Sequence, residues 1–239
     1  MERYLRQLNI PQIGDEGQRK IGEASILVVG AGGLGSAALF CLAGAGVGTI
    51  GIADFDTIAE SNLNRQFLHT TEGIGTDKLD SALERLKAFN PFIKFNAHRI
   101  KVSDDNAESL IEPYDLVISA VDNMDTRYVL NRACVKGRKP LINGGVSGMY
   151  GSIQLIEPGK TACLSCLLGE NQKQTAANSF APVVSTISSL MAQAALLLVL
   201  GQPNSLKEEL LFFDGEKMSF EKILLRRDPK CPVCGKLKT

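Results

Sequence analysis

Residues 25–56 read SILVVGAGGLGSAALFCLAGAGVGTIGIADFD, and this stretch decides the fold. Ser25–Val29 is apolar without alternation, which suits a parallel strand covered on both faces. The turn Gly30-Ala31-Gly32-Gly33-Leu34-Gly35 follows, then a helix of small residues and a second apolar strand from Thr49 to Asp54. The turn fits G-x-G-x-x-G between a strand and a helix. There, backbone N–H groups and the helix N-terminus can approach a phosphate, with Gly32 and Gly33 nearest it. Asp54 lies roughly 20 residues beyond, where a carboxylate accepts from ribose hydroxyls. A nucleotide is expected, although glycines kept only for close helix–strand packing would leave the same pattern. The motif does not separate a dinucleotide from a triphosphate.

The same alternation continues outward. Residues 1–24 read as an N-terminal helical segment. Residues 76–89 form an amphipathic helix capped by Thr76, with Leu79, Ala82, Leu83 and Leu86 on one stripe and Asn90-Pro91 as its stop. PFIKFNAHRI (91–100) and YDLVISAVD (114–122) are strands, the latter followed by a helix to about Val135. PLINGGV (140–146) and GSIQLIEP (151–158) are two more. A helix over 182–200 and a hairpin around Asp214-Gly215 complete the chain. The fold class is therefore α/β: a doubly wound, Rossmann-like, mostly parallel sheet with an antiparallel C-terminal extension.

Composition narrows the function. Among 239 residues, 26 Lys+Arg balance 26 Asp+Glu, so no basic surplus exists to grip a phosphate backbone and nucleic acid is not an expected partner. The first residues contain no apolar segment of the secretory kind. The longest apolar stretch, 183–200, is broken by Ser185, Thr186, Ser188, Ser189 and Gln193, so a buried helix is expected there and no membrane span. A cytoplasmic protein is the expectation.

Charged groups then favour a triphosphate. Asp54-Phe55-Asp56 leads into Ser61-Asn62-Leu63-Asn64-Arg65-Gln66, a polar loop leaving the carboxyl edge of the sheet, where ligands sit in such folds. Lys78 falls in the first turn of its helix, opposing the macrodipole by about 0.3–1 kcal/mol, which a bound anion would offset. A solvated surface lysine is the simpler alternative. Asp122 closes its strand at the same edge, with Asn123 and Arg127 on the helix that follows. A lone carboxylate beside phosphates suits Mg²⁺, though Asp122 could equally be a helix N-cap. His69 and His98, in a loop and a strand, receive no catalytic role.

Cys163-Leu-Ser-Cys166 and Cys231-Pro-Val-Cys234 are two CxxC pairs. Four thiolates satisfy tetrahedral Zn²⁺ in a closed structural site, whereas a redox motif needs only one pair. The nearby Arg226, Arg227, Lys230, Lys236 and Lys238 read as solvated.

GAGGLG, DFDTIAESNLNRQ, GTDK, DNMDTR and the double CxxC occur in that order, preceded by Arg3-Tyr4-x-Arg6-Gln7. In these motifs the chain resembles the ThiF/MoeB/HesA family of ubiquitin-activating-like adenylyltransferases, over nearly its whole length. The resemblance implies one adenylation domain over 1–239, with a nucleotide-binding part (25–145) and a carrier-binding and zinc part (146–239). It implies that Gly32, Gly33, Asp54, Asp56, Asn62, Asn64, Arg65 and Lys78 bind ATP, and that Asp122 holds Mg²⁺ and is required for catalysis with Arg65 and Lys78. It further implies a homodimer in which Arg6 reaches the neighbour's nucleotide. The substrate would be the C-terminal Gly-Gly carboxylate of a small ubiquitin-fold sulfur-carrier protein of a molybdopterin or thiamine type pathway. The competing expectations are an NAD(P)-dependent oxidoreductase and a catalytically silent scaffold.

The chain departs from the family in one place. Many relatives carry a cysteine in the loop corresponding to 168–182, and here its matching positions are Gln174 or Thr175. An unactivated hydroxyl does not replace a thiolate. Cys41 reads as core and Cys134 as a poor surrogate. The expectation is an enzyme that stops at the acyl-adenylate and passes it to a separate sulfur donor.

Overall fold

The computed structural model describes residues 2–170, 172, 178–204 and 206–237. Its strands are β1 (Ser25–Val29), β2 (Thr49–Asp54), β3 (Lys94–Arg99), β4 (Leu116–Ser119), β5 (Leu141–Ser147), β6 (Tyr150–Ile156), β7 (Glu209–Asp214) and β8 (Ser219–Leu224). Its helices are α1 (Leu5–Leu8), α2 (Gly14–Glu23), α3 (Gly33–Ala45), α4 (Lys78–Phe89), α5 (Ala107–Ile111), α6 (Met124–Lys136), α7 (Leu164–Leu168) and α8 (Ala181–Leu200).

One sheet runs through the molecule in the order β3-β2-β1-β4-β5-β6-β7-β8. β3 to β5 pair in parallel, and β5 to β8 pair antiparallel, with β5–β6 and β7–β8 as hairpins and α7 and α8 in the connection from β6 to β7. The strand order reverses between β1 and β4, so a ligand crevice is expected outside the carboxyl ends there. α3, α4 and α8 cover one face over a core of Ile26, Val28, Ile50, Ile118 and Ile142. α5, α6 and α7 cover the other over Leu27, Val29, Val117, Leu141 and Ile156. Burial on both faces explains the unbroken apolar runs of β1 and β4.

α8 is long and apolar enough to cross a membrane by length and composition. Here it packs against α3, β5 and β6, burying Val183, Val184, Ile187, Met191 and Ala195. Gly144 and Gly151 permit this approach, because a Cβ at either would lie 2.2–2.3 Å from Met191 or Ile187.

Four sequence expectations need correction. α4 is capped by Asp77, whose carboxylate accepts from Leu79 N at 2.8 Å, while the Thr76 hydroxyl turns back to the Gly73 carbonyl. Thr76 stands one residue too early for the extended backbone that a cap requires. β4 ends at Ser119 instead of Asp122, because its pairing with β5 stops at the Ser119–Asn143 register. Asn123 caps α6 by accepting from Thr126 N at 2.9 Å, which removes the reading of Asp122 as the cap. Cys41 is exposed on α3, not core: its neighbours in sequence are apolar, but its own position faces outward, 3.9 Å from the Ser189 hydroxyl.

Candidate active site

The crevice is built from the ends of three strands, β1, β2 and β4. At the end of β1, Gly30 adopts φ +99°, and a Cβ there would lie 2.8 Å from the Ala120 carbonyl. The turn can therefore press against the end of β4 only with glycine. Gly35 is equally confined, since a Cβ would meet the Gly30 carbonyl. At the end of β2, Asp54 is buried, and its carboxylate accepts from the N–H groups of Ala31 (2.7 Å), Phe55 (2.8 Å) and Asp56 (2.9 Å). One carboxylate thus ties the glycine turn to the strand beside it.

Lys78 is buried at 6% exposure, so it is no solvated surface lysine. Its Nζ lies 3.0 Å from Asp56 Oδ2, and its N–H donates to the Asp56 carbonyl at 3.0 Å. Asp56 is itself half exposed, which places the buried ammonium at the mouth of the crevice. Arg65 donates from Nη1 to the Ser61 carbonyl (2.9 Å) and Asn64 Oδ1 (2.8 Å). Its aliphatic stem passes over Gly33, where a Cβ would lie 3.4 Å from Arg65 Cγ and 3.1 Å from Val184. Asn62 Oδ1 accepts from Ala59 N at 3.1 Å and closes the turn that presents Arg65. Asp122 is exposed just beyond β4 and takes no part in capping α6.

Two residues beside the crevice escaped the sequence reading. Gln66 is buried, with its Nε2 3.4 Å from where a Gly32 Cβ would stand and its Oε1 without a partner among the described residues. Its place directly after Arg65 was the only available signal. His69 is also buried, its ring between the Ala31 carbonyl (Nε2, 3.1 Å) and the Ser81 hydroxyl (Nδ1, 3.1 Å). A carbonyl only accepts, so Nε2 carries the proton. Burial holds the imidazole below its ordinary pKa, giving a neutral clamp between glycine turn and α4.

Arg6 lies apart from these groups. It is exposed on α1, whose neighbours Tyr4 and Gln7 pack at the far end of α3: Gln7 Nε2 donates to the Ala45 carbonyl at 2.7 Å, and the Tyr4 ring fills the space over Gly46. α3 begins at the glycine turn and spans ~20 Å, so Arg6 sits at the opposite edge of the sheet from its own crevice.

The four cysteines converge across two distant segments. Their sulfurs lie within 4.8 Å of one another, with Cys163–Cys166 at 3.8 Å, Cys163–Cys231 at 3.6 Å and Cys166–Cys234 at 3.3 Å. Tetrahedral Zn–S bonds of about 2.3 Å require sulfurs about 3.8 Å apart, and the observed spacings bracket that value, so the four thiols could hold a metal ion. The Asp228 N–H donates to Cys166 Sγ at 3.5 Å, as outer donors to metal thiolates do. Arg227, expected to be solvated, instead donates to the carbonyls of Gly159 (3.2 Å), Cys234 and Leu237, tying down the second knuckle. Gln174 and Thr175 lie outside the described residues.

The sequence profile of the ThiF family matches residues 4–233. The chain belongs to the ThiF family. This ThiF-family chain is 39% identical to the sulfur carrier protein adenylyltransferase of Thermus thermophilus, covering 98% of this chain and 91% of that protein. It is also 39% identical to the molybdopterin-synthase adenylyltransferase of Salmonella typhimurium, covering 98% and 96%. Among solved structures it resembles E. coli MccB with ATP at a TM-score of 0.80 and 25% identity, over 92% of this chain and 68% of that one. The oxidoreductase and silent-scaffold expectations draw no support from these relatives.

Proposed function

We propose that this chain transfers AMP from ATP to the C-terminal glycine carboxylate of a small ubiquitin-fold sulfur-carrier protein, releasing pyrophosphate. The observation that carries the reading is the gathering of the buried Lys78 ammonium, the Arg65 loop and the free Asp122 carboxylate around one glycine turn. The names of the full-length adenylyltransferase relatives support it.

The chemistry asks little of the protein beyond placement. A C-terminal carboxylate has a pKa of about 3.5 and is already a nucleophile at neutral pH. One of its oxygens attacks the α-phosphorus of ATP and forms the acyl-phosphate bond. The bond from that phosphorus to the bridging oxygen breaks, and its electron pair leaves with pyrophosphate. No proton must be removed, which suits a crevice whose one histidine is locked between Ala31 and Ser81. Asp54 takes the ribose, and the turn at Gly32 and Gly33 admits the phosphates, while Lys78 and Arg65 neutralise developing charge. Asn62 and Asn64 shape the loop that presents Arg65, and Asp56 holds Lys78 in place. Asp122 would hold Mg²⁺, and its exposure at the sheet edge fits an ion that takes few protein carboxylates. When bound, the ion supplies positive charge at the phosphate oxygens.

The remaining assignments follow the same reading. Zinc at Cys163, Cys166, Cys231 and Cys234 is structural, since all four positions are filled by protein. Arg6 completes the site of a second copy, because its own crevice is at the other edge of the sheet; the active unit is therefore a homodimer. Sulfur comes from a separate donor. Cys134 is fully buried, with its thiol pushed up to about 12, and Cys41 faces solvent about two helical turns beyond the glycine turn.

The test is ATP–pyrophosphate exchange dependent on a Gly-Gly-terminated carrier. Asp122→Ala is expected to lower exchange by more than about 100-fold, given that losing one transition-state charge contact costs 10²–10³. Its melting temperature should be unchanged. Full exchange in that variant would overturn the metal assignment.

A further inference from the structure

The segment that carries Arg6 is ordered without burying anything of its own. None of residues 2–8 is buried, and none packs into either apolar core. α1 is a single turn of four residues. A helix that short does not hold by itself, because nucleation costs more than one turn of hydrogen bonds returns. What fixes the segment is polar, and it lies in the side chains on either side of Arg6.

The carbonyls at the ends of two helices receive it. Asn90, fully buried just beyond α4, donates from Nδ2 to the Ala43 carbonyl at 2.8 Å and to the Tyr4 hydroxyl at 2.9 Å. The Tyr4 ring lies over Gly46, which closes α3 at φ +87°; a Cβ there would stand 2.6 Å from the ring. On the other flank, Gln7 Nε2 donates to the Ala45 carbonyl at 2.7 Å and to Gln18 Oε1. The buried Gln18 donates to the same Ala45 carbonyl at 3.1 Å. Arg3 adds a bond to the Phe89 carbonyl at 3.0 Å. The last carbonyls of a helix lack partners within it, and these donors supply them. Asn90 and Gln18 each lose a partner if the segment lifts away, which is costly for buried amides.

We infer that Tyr4, Gln7, Gln18 and Asn90 form a polar latch that aims Arg6 at the crevice of a second copy. They are positioning residues that act through Arg6. This rests on the reading in which Arg6 completes a second copy's site, and it names what holds Arg6 there. The anchors Tyr4 and Gln7 enclose only Leu5 and Arg6, so the stretch they fix is the one bearing the exposed cation. They grip the C-terminal end of α3, whose N-terminus lies at the chain's own glycine turn. One helix thus carries a crevice at one end and, at the other, the cation for the neighbouring crevice. Placement is the quantity at stake, since an error of about 1 Å can cost about 100-fold in rate.

The experiment measures carrier-dependent ATP–pyrophosphate exchange in homodimers and in mixed dimers purified through two tags. The latch-open chain carries Tyr4→Ala and Gln7→Ala, both at half-buried positions outside the cores. It should remain a folded dimer and lose about 10- to 100-fold in exchange. Tyr4→Phe keeps the ring over Gly46 and should retain most of the activity. Asn90→Ala breaks the same contact from the α4 side and should match the latch-open chain; where it does not fold, the Tyr4 and Gln7 substitutions carry the test. On an Arg6→Ala background the latch substitutions should lower exchange no further, because they act only through that residue.

Mixed dimers show which crevice the latch serves. Paired with Asp122→Ala, the latch-open chain should regain one working site in two: that site takes Asp122 from one chain and a well-held Arg6 from the other. Paired with Arg6→Ala it should not recover, because both chains are damaged in the same function. The reverse pattern puts the fault in the chain's own crevice and overturns the latch. So does a latch-open chain with full exchange, or a further loss on the Arg6→Ala background. Failure of the Arg6→Ala and Asp122→Ala pair to recover in a confirmed heterodimer would bring down the reading of Arg6 in trans, and the latch with it.

Discussion

At the scale of single residues, the crevice is held by side chains that touch the glycine turn from two directions. Asp54 accepts from the Ala31 N–H while His69 donates to the Ala31 carbonyl, so one peptide unit is fixed at both ends. Both histidines of the chain are held by burial below the ordinary value of about 6.5. On acidification through that value the unfolded chain binds protons that the folded chain does not, so stability falls as pH drops. His69→Gln keeps a donor toward Ala31 but cannot titrate. It should cost about 1 kcal/mol near neutrality through the lost Ser81 contact and flatten the loss of stability between about pH 7 and about pH 5.5. Urea unfolding at both pH values measures this, and an unchanged slope would exclude His69 as a contributor. The places of Asp54, Lys78 and Asp122 at the carboxyl edge of the sheet were legible in the sequence, because residue type and distance from the glycine turn sufficed. The burial of Lys78, the outward face of Cys41 and the clamp by His69 were not, since each depends on which side of a helix or loop packs inward.

At the scale of elements, local chemistry marked the helices well and their ends less well. Asp77 and Thr76 are adjacent cap-forming residues, and only the backbone decides between them. The antiparallel hairpin over β7 and β8 was legible from Asp214-Gly215, and Asp214 Oδ1 accepts from the N–H groups of Glu216 and Lys217 at 3.0 Å. The cysteine cluster was legible for a different reason: two CxxC pairs specify four ligands without specifying the path between them. Zinc removal should therefore loosen the segment after β8, which Arg227 and the knuckle turns hold to α7. One zinc per chain is expected by elemental analysis, with a melting temperature lowered by chelator. Cys231→Ser should lose the metal and the response to chelator together. Wild-type protein purified without chelator and free of metal would contradict the assignment.

At the scale of the whole molecule, the continuous sheet brings the glycine turn, Asp54 and Asp122 to one edge and leaves Arg6 at the other. The strand order was legible only as a class, because crossovers at β1 and β4 leave no local mark in sequence. Arg6 was legible only through resemblance, and its distance from the crevice follows from the length of α3. Mixing Arg6→Ala with Asp122→Ala chains tests the placement. Each homodimer should be inactive, and the mixed dimer should regain one working site in two. No recovery in a confirmed heterodimer would contradict a role in trans.

The central claim is that this crevice makes an acyl-adenylate and goes no further. Intact-mass analysis of the wild-type chain incubated with carrier and ATP–Mg tests it most directly. AMP attached at the carrier's terminal glycine, with no carrier bound to the enzyme, is the predicted result. An unmodified carrier, or a dithiothreitol-labile adduct at Cys41 or Cys134, would contradict it.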